Sequence, residues 1–440
     1  MTRERTDGSL VRALGVWGLA ANIVNITVGG GIFRLPTAAY EALGGSAPIA
    51  YVVCAVAMGL IVICFAEAGS RVSLTGGLYA YVEVAFGPFV GFLAGVMLWA
   101  GITAATAAVS SFFADALVAL VPSLAASGAR SGLLIVILVA LALLNIAGVR
   151  GANRFNVVMT VAKLLPLVLL IVVGAFAVHG ANLSIGRAPS GGQLARASAV
   201  LIFAFLGVES ALVPSGEVRE PSRTVPRAIF IAMLAVTVLY LAVQIVTQGV
   251  LGGALAGQKT PLAEAAAVVM GGPGRTLILV GSVVSMFGYV SGMTLAVPRM
   301  LFAFARDGFL PRAVAAIHPR FRTPHWAIAI QTLIVGMLAT TGSFERLAIN
   351  ANGLVLLVYA ACCVSTVQLR RRDVRAGGTP FHVPAARIVP WLALAVIVSL
   401  LATLRRGEWI ALIAVAVAAV LVYGVTHARR SAPVPAPAGD

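Results

Sequence analysis

The chain has 440 residues, of which 60% are hydrophobic and 10% charged, and its mean hydropathy is +1.00. Those values exclude an ordinary soluble domain and describe an all-α polytopic membrane protein. The net charge of +16 does not point to nucleic acid, because the basic residues fall in short loops between apolar spans. Their expected partners are anionic lipid headgroups.

Twelve membrane spans are predicted near 12–34, 46–70, 87–118, 131–149, 154–178, 194–217, 226–250, 274–305, 324–342, 346–370, 384–404 and 408–427. Several exceed the ~20 residues that cross a bilayer, so tilt or protruding ends are expected. The first is too long for a signal-peptide core and is expected to stay in the protein. Between the seventh and eighth, residues Thr260 to Met270 read as a short surface helix outside the membrane. An even number of spans puts both termini on one side, and the loops of that side carry the excess of arginine. Both termini are therefore expected in the cytoplasm, with the protein in the cytoplasmic (inner) membrane. The Pro/Ala-rich tail at 431–440 is expected to be disordered. One transmembrane domain is expected over 1–430, made of five-helix groups at 1–180 and 190–372 and two further helices at 384–428.

The first span contains Thr27-Val28-Gly29-Gly30-Gly31-Ile32-Phe33. Each glycine weakens a helix by roughly 1 kcal/mol relative to alanine. A break in hydrocarbon also frees backbone N–H and C=O groups that need partners. The stretch reads as half of a small-molecule site near mid-bilayer. The alternative is close packing against a neighbouring helix. The sixth span carries a second interruption at Phe205-Leu206-Gly207-Val208-Glu209-Ser210, where Gly207, a buried Glu209 and the nearby Pro214 make a continuous lipid-facing helix implausible.

Spans one and six open successive groups of five. An odd-numbered group repeated once reverses its orientation, so the two breaks would be related by a pseudo-two-fold axis and face each other. Unwound helices present N–H groups at the start of one half and C=O groups at the end of the other. The first attracts a carboxylate and the second an ammonium. The arrangement suits a zwitterion such as an α-amino acid. Gly29, Gly30 and Gly31 would hold the carboxylate, and the carbonyls of Thr27, Phe203 and Leu206 the ammonium.

Several stretches together resemble the amino acid–polyamine–organocation permeases, which have the leucine-transporter fold. They are Gly29-Gly-Gly-Ile-Phe33, Ser73-Leu-Thr-Gly-Gly-Leu-Tyr-Ala-Tyr81, Phe205-Leu-Gly-Val-Glu-Ser210, the run from Gly216 to Ala228, and Arg306-Asp-Gly-Phe-Leu-Pro311. They occur in the family's order across most of the chain. The resemblance implies that both breaks bind the substrate backbone, and that a bundle of spans 1, 2, 6 and 7 rocks to give alternating access. The family commonly has Gly-Ser-Gly or Gly-Ala-Gly where this chain has Gly29-Gly30-Gly31, so a hydroxyl donor is missing here.

Lys163, one of two lysines, lies in the fifth span. It stands nine residues beyond Arg154, a rise of roughly 13 Å, near mid-bilayer. An ammonium there is costly unless solvated or neutral, so a lysine that gains and loses a proton could couple transport to a proton gradient. The alternative is snorkelling to the interface. The resemblance adds that some proton-coupled members and some exchangers carry a lysine on this helix beside the first break. Thr294 or Ser291 is the expected hydroxyl neighbour.

Glu209 could contact a cationic substrate, relay protons, or tie down unwound N–H groups. Phe203 stands where the family often has an aromatic lid, with ordinary packing as the alternative. Met293 and the stretch from Ile102 to Thr106 are expected to line an apolar side-chain pocket suited to a neutral substrate. Glu67, Tyr79 and Glu83 read as a loop network after the second span.

Cys54, Cys64, Cys362 and Cys363 lack metal-ligand spacing and read as packing residues. The five histidines form no metal pattern, so neither metal nor cofactor is expected. The spans also lack the His, Asp, Ser or Cys cluster an enzyme would need. The expectation is a secondary transporter of amino acids with proton symport through Lys163. The runner-up is an amino acid or amine exchanger in which Lys163 is structural.

Overall fold

The computed structural model describes residues 15–72, 77–126, 128–147, 152–185, 188–209, 218, 220–375, 379–382 and 385–431, and their side chains except at 152–162, 221 and 427–431. Regular structure among them is helical. The first span is two helices, α1 (Val16–Thr27) and α2 (Leu35–Leu43), separated by a segment in which Gly31–Phe33 form one 3-10 turn. Next come α3 (Ala47–Arg71), α4 (Leu78–Phe86), α5 (Pro88–Leu120), α6 (Ala129–Ala147) and α7 (Ala152–Gly174). After them α8 (Gly191–Leu201) runs into a 3-10 turn, Ile202–Phe205, and α9 spans Pro221–Leu251. The chain continues through α10 (Pro261–Ala296), α11 (Pro298–Arg306), α12 (His325–Thr341), α13 (Phe344–Arg371), α14 (Val389–Leu401) and α15 (Arg406–Ser431).

Among the described residues, seven helical segments are long and apolar enough to cross a membrane, and five apolar helices of 10–17 residues accompany them. Their outer faces carry exposed Leu143, Leu165, Leu234, Leu333 and Leu421, as lipid contact requires. Proline opens α2, α3, α5, α9, α10 and α11. Its missing N–H is harmless there, because first-turn N–H groups have no intrahelical acceptor. Ser190 starts α8 with a reciprocal cap: its Oγ accepts from Gln193 N at 3.3 Å, and Gln193 Oε1 accepts from Ser190 N at 3.0 Å.

Three expectations change. The first span does not end at residue 34, since a second half continues to Leu43. Thr37 and Glu41, which lie between the expected first and second spans, are on this second half and bond to the segment after α9, as Arg34 does to Glu345. This moves the break from the end of the span to its middle. Residues 78–86, expected as a loop, are helix. The segment 260–270 is helical but merges into the following span, with a bend where Gly271 takes φ 67° and ψ −161°. It is not a free surface helix, because Pro261, Leu262, Ala263, Ala265 and Ala266 are buried. The stretches 73–76, 210–217 and 432–440, which carry part of the resemblance, Pro214 and most of the tail, lie outside the described residues.

Inside, α9 packs against α1 and α3, α5 against α13, and α7 against α10. Polar clasps lie at the two ends. At one, Arg34 pairs with Glu345 at 2.9 Å, and Thr37 donates to the Gln258 carbonyl at 3.0 Å. At the other, the fully buried Glu67 accepts from Arg71 at 3.1 Å and from Arg370 at 2.6 Å, joining α3 to the end of α13. Both arginines together neutralise a carboxylate that burial alone would make costly.

Candidate functional site

The two breaks meet. Val28 N closes α1 on the Val24 carbonyl at 2.9 Å, and Gly29 N turns back to the Thr27 carbonyl at 2.8 Å. No hydrogen bond is recorded from the N–H groups of Gly30 and Gly31 among the described residues. Opposite them, the 3-10 turn after α8 ends at Leu206, and Gly207 takes φ 113°, a conformation that L side chains rarely adopt. A Cβ on Gly207 would stand 2.9 Å from Ile26 Cγ2 and 3.2 Å from the Ile26 carbonyl oxygen. Glycine is therefore required here both for the turn and for the close approach of the two chains.

Between the breaks lies a cavity of about 40 Å³, space for two or three waters. Of the residues expected from the sequence, Thr27, Gly29, Gly30, Gly31, Ile102, Phe203, Leu206, Gly207, Glu209 and Met293 line it. Gly30 and Gly31 are tightly enclosed: an added Cβ would meet Met286 Cγ at 3.0 Å and Phe203 Cδ1 at 3.1 Å, respectively. Phe203 rests edge-on against Phe344 at 5.5 Å. Thr106 is not on this wall. It donates to the Ile102 carbonyl at 2.8 Å and lines a smaller neighbouring cavity with Met293, Thr294 and Gln331.

Two of the three carbonyls expected to hold an ammonium are already occupied. The Thr27 carbonyl accepts from both Gly29 N and the Tyr240 hydroxyl, the latter at 2.9 Å. The Phe203 carbonyl accepts from Leu206 N at 3.3 Å. No hydrogen bond is recorded to the carbonyls of Ile26 and Leu206 among the described residues. The Thr27 hydroxyl, buried on the cavity wall, also has no partner among the described residues. Buried polar atoms are nearly always hydrogen-bonded, so this one is suited to a ligand or a water.

Glu209 is engaged within its own break. Its Oε2 accepts from Gly207 N at 2.9 Å and from the Tyr359 hydroxyl of α13 at 2.6 Å. Lys163 is buried, and its Nζ donates to the Asn25 carbonyl in the last turn of α1. Thr294 instead donates to Val290 of its own helix at 2.8 Å, and half-buried Ser291 lines neither cavity. Glu67 belongs to the clasp described above, while Tyr79 and Glu83 lie on α4. The four cysteines are free and buried, and no cluster of metal-ligating side chains occurs among the described residues.

Tyrosines supply what the sequence reading missed. Tyr240 Oη reaches the Thr27 carbonyl at 2.9 Å and the Ala204 carbonyl at 2.8 Å, spanning both interrupted helices from α9. Tyr359 steadies Glu209, and Tyr289 lines the cavity with Cδ2 3.8 Å from the position of a Gly29 Cβ. A phenol inside an apolar span needs a partner for its hydroxyl, and that was the available signal.

A family model described as amino acid permease matches residues 14–429. A methylthioribose transporter of Bacillus subtilis is 27% identical over 98% of this chain and 96% of its own length. The branched-chain amino acid permease of the same organism is 27% identical, covering 88% of this chain and 87% of its own. Its serine/threonine exchanger is 28% identical, covering 88% and 90%.

Proposed function

Because the chain belongs to the amino acid permease family, within the amino acid–polyamine–organocation superfamily of transporters rather than enzymes, we propose that it carries an α-amino acid across the cytoplasmic membrane by alternating access. One observation carries this reading: among the described residues, the N–H groups of Gly30 and Gly31 and the carbonyls of Ile26 and Leu206 have no recorded hydrogen bond, and all four residues border one cavity. The N–H groups receive the carboxylate and the carbonyls the ammonium, with the Thr27 hydroxyl as a further partner. Glu209 keeps the second break open by satisfying Gly207, and is not a substrate ligand.

The side-chain end of the cavity is apolar, with Ile102, Val109, Met293 and Val355, so the substrate is neutral. Two or three waters' space does not admit an amino acid, so entry requires the walls to part, Phe203 acting as the lid. The Arg34–Glu345 pair closes one approach and the Glu67–Arg71–Arg370 cluster the other. In this scheme the chain makes twelve spans as two inverted five-helix groups, 1–180 and 190–372, followed by 384–428, with both termini cytoplasmic. The Arg34 clasp then faces outward and the Glu67 clasp inward.

Coupling runs through Lys163. Its ammonium holds the Asn25 carbonyl, one turn below the break. Proton loss weakens that tie and frees α1 to move, which makes substrate entry proton-linked. A second reading is exchange, with Lys163 as a fixed strut; the same bond supports it, as does a relative named as an exchanger.

Uptake of labelled amino acids into empty proteoliposomes, at two external pH values and with Lys163→Ala, tests the proposal. Saturable uptake of a neutral amino acid, faster under an inward proton gradient and insensitive to it in the variant, is expected. Inactivity in empty vesicles but activity in preloaded ones would establish the exchanger. Inactivity in both, for every amino acid, would overturn the function.

A further inference from the structure

The outer face between α6 and α12 carries a second hollow, remote in character from the cavity at the breaks. It encloses about 380 Å³ and is walled by Val139, Leu143 and Ile146 of α6 and Leu333, Gly336 and Met337 of α12. Leu143, Leu333 and Met337 are more than half exposed, so the hollow opens sideways toward lipid. Its floor is open at Gly336, where an added Cβ would meet only Leu138 Cδ1, at 3.9 Å.

Its hydroxyls are already spent on their own helix. Thr332 donates to the Ile328 carbonyl and Thr340 to the Gly336 carbonyl, both at 2.8 Å. No free side-chain donor remains on this wall, and the rest of the lining is apolar, which suits hydrocarbon. From Ala329 to Thr340 the groove runs roughly 16 Å along α12. That is about one leaflet's half of a ~30 Å hydrocarbon core.

One end of the groove is basic. The turn at 318–325 closes through His318 N to the Thr323 carbonyl at 2.8 Å. It is pinned over the end of α6 by Thr323 Oγ1, which donates to the Ile146 carbonyl at 2.7 Å. Ile146 is itself a wall residue, so the turn sits at the mouth. Arg320 and Arg322 are exposed on this turn, and no acidic partner is recorded for either among the described residues. Exposed Ile317, Phe321 and Trp326 flank them. Apolar and aromatic side chains mixed with arginine are the composition of a membrane–water boundary, where lipid phosphates lie.

We propose that this groove binds one anionic phospholipid, an acyl chain lying between α6 and α12 and its phosphate resting on Arg320 and Arg322. The position is set by continuity: the turn that carries both arginines is bonded through Thr323 to Ile146, a wall residue of the groove. Ordinary boundary lipid has no such requirement and would not distinguish headgroups.

The test uses the full-length protein in neutral detergent, with dioleoyl phosphatidylglycerol or dioleoyl phosphatidylcholine added. Retained lipid is counted by native mass spectrometry, and the unfolding midpoint is followed by tryptophan fluorescence. Wild type should retain one phosphatidylglycerol in preference to phosphatidylcholine and unfold later with it. Arg320→Gln combined with Arg322→Gln should weaken phosphatidylglycerol retention roughly 10- to 30-fold, leaving phosphatidylcholine unaffected. Gly336→Leu, which fills the floor, should lower retention of both. Equal retention of the two lipids by wild type, or an unchanged preference in the arginine variant, would overturn the proposal. So would a midpoint shift produced by inorganic phosphate alone, which would leave the groove without a role.

Discussion

The two helix breaks solve one problem in opposite ways. The first is made of glycines and leaves its N–H groups open, so Gly30 and Gly31 have no recorded acceptor. The second brings its own acceptor: Glu209 takes the Gly207 N–H and the Tyr359 hydroxyl. An unsatisfied peptide group in hydrocarbon is costly, so the N–H groups of the first break call for a ligand, whereas the Gly207 N–H of the second is satisfied from within the protein. Lesions at the second should therefore damage folding, and lesions at the first should damage binding.

The largest effect is expected from Glu209→Ala. It strips an acceptor from two buried donors, at about 1–3 kcal/mol each. The unfolding midpoint should fall by several degrees and uptake should vanish, whereas Glu209→Gln keeps an acceptor oxygen and should recover much of the stability. A midpoint unchanged in Glu209→Ala, measured by thermal unfolding in detergent, would erase the contrast between the breaks.

Gly31→Ala sharpens it from the other side. The new methyl meets Phe203 Cδ1 at 3.1 Å and Leu35 Cδ1 at 3.3 Å, beside the open N–H. Equilibrium binding should weaken roughly tenfold or more, about 1.4 kcal/mol, with little change in midpoint. Loss of stability without loss of affinity would assign the glycines to packing alone.

Lys163→Met keeps an unbranched side chain but lacks the Nζ that bonds the Asn25 carbonyl. Under proton symport, gradient-driven uptake should collapse while counterflow of labelled substrate persists. Parallel loss of both would make Lys163 a strut. Tyr240→Phe should have the smallest effect, since each of its two carbonyl contacts loses only a shared donor. Net hydrogen bonds of this kind contribute about 1 kcal/mol, so a several-fold rise in substrate KM with near-normal maximal rate is expected in uptake assays.

Much of this contrast is legible in the residues alone. Three consecutive glycines within an apolar span can hardly be a continuous helix, and a glycine beside a lone glutamate marked the other interruption. What the sequence hid was the accounting of hydrogen bonds. Nothing in Gly29 distinguishes it from Gly30, yet its N–H is spent on Thr27. Of the three carbonyls expected for an ammonium, Leu206 alone has no recorded donor among the described residues, because Tyr240, more than two hundred residues from Thr27, takes the Thr27 carbonyl and Leu206 N takes that of Phe203. Lys163 was legible as a buried charge, but its partner is a backbone carbonyl, which no residue type can advertise. The second half of the first span stayed hidden because Thr37 and Glu41, following Arg34, look like loop residues until their partners Gln258 and Gly257 are known.

Recognition of a zwitterion by backbone groups is the central claim, and analogue competition probes it without mutation. Displacement of a bound, labelled neutral amino acid should be measured against the same compound as its methyl ester and as its deaminated acid. Each analogue lacks one of the two charges and should compete at least about 100-fold more weakly, a loss of ~2.7 kcal/mol or more. Competition by either analogue at the strength of the parent amino acid would contradict the claim that bare peptide groups of the two breaks hold the substrate.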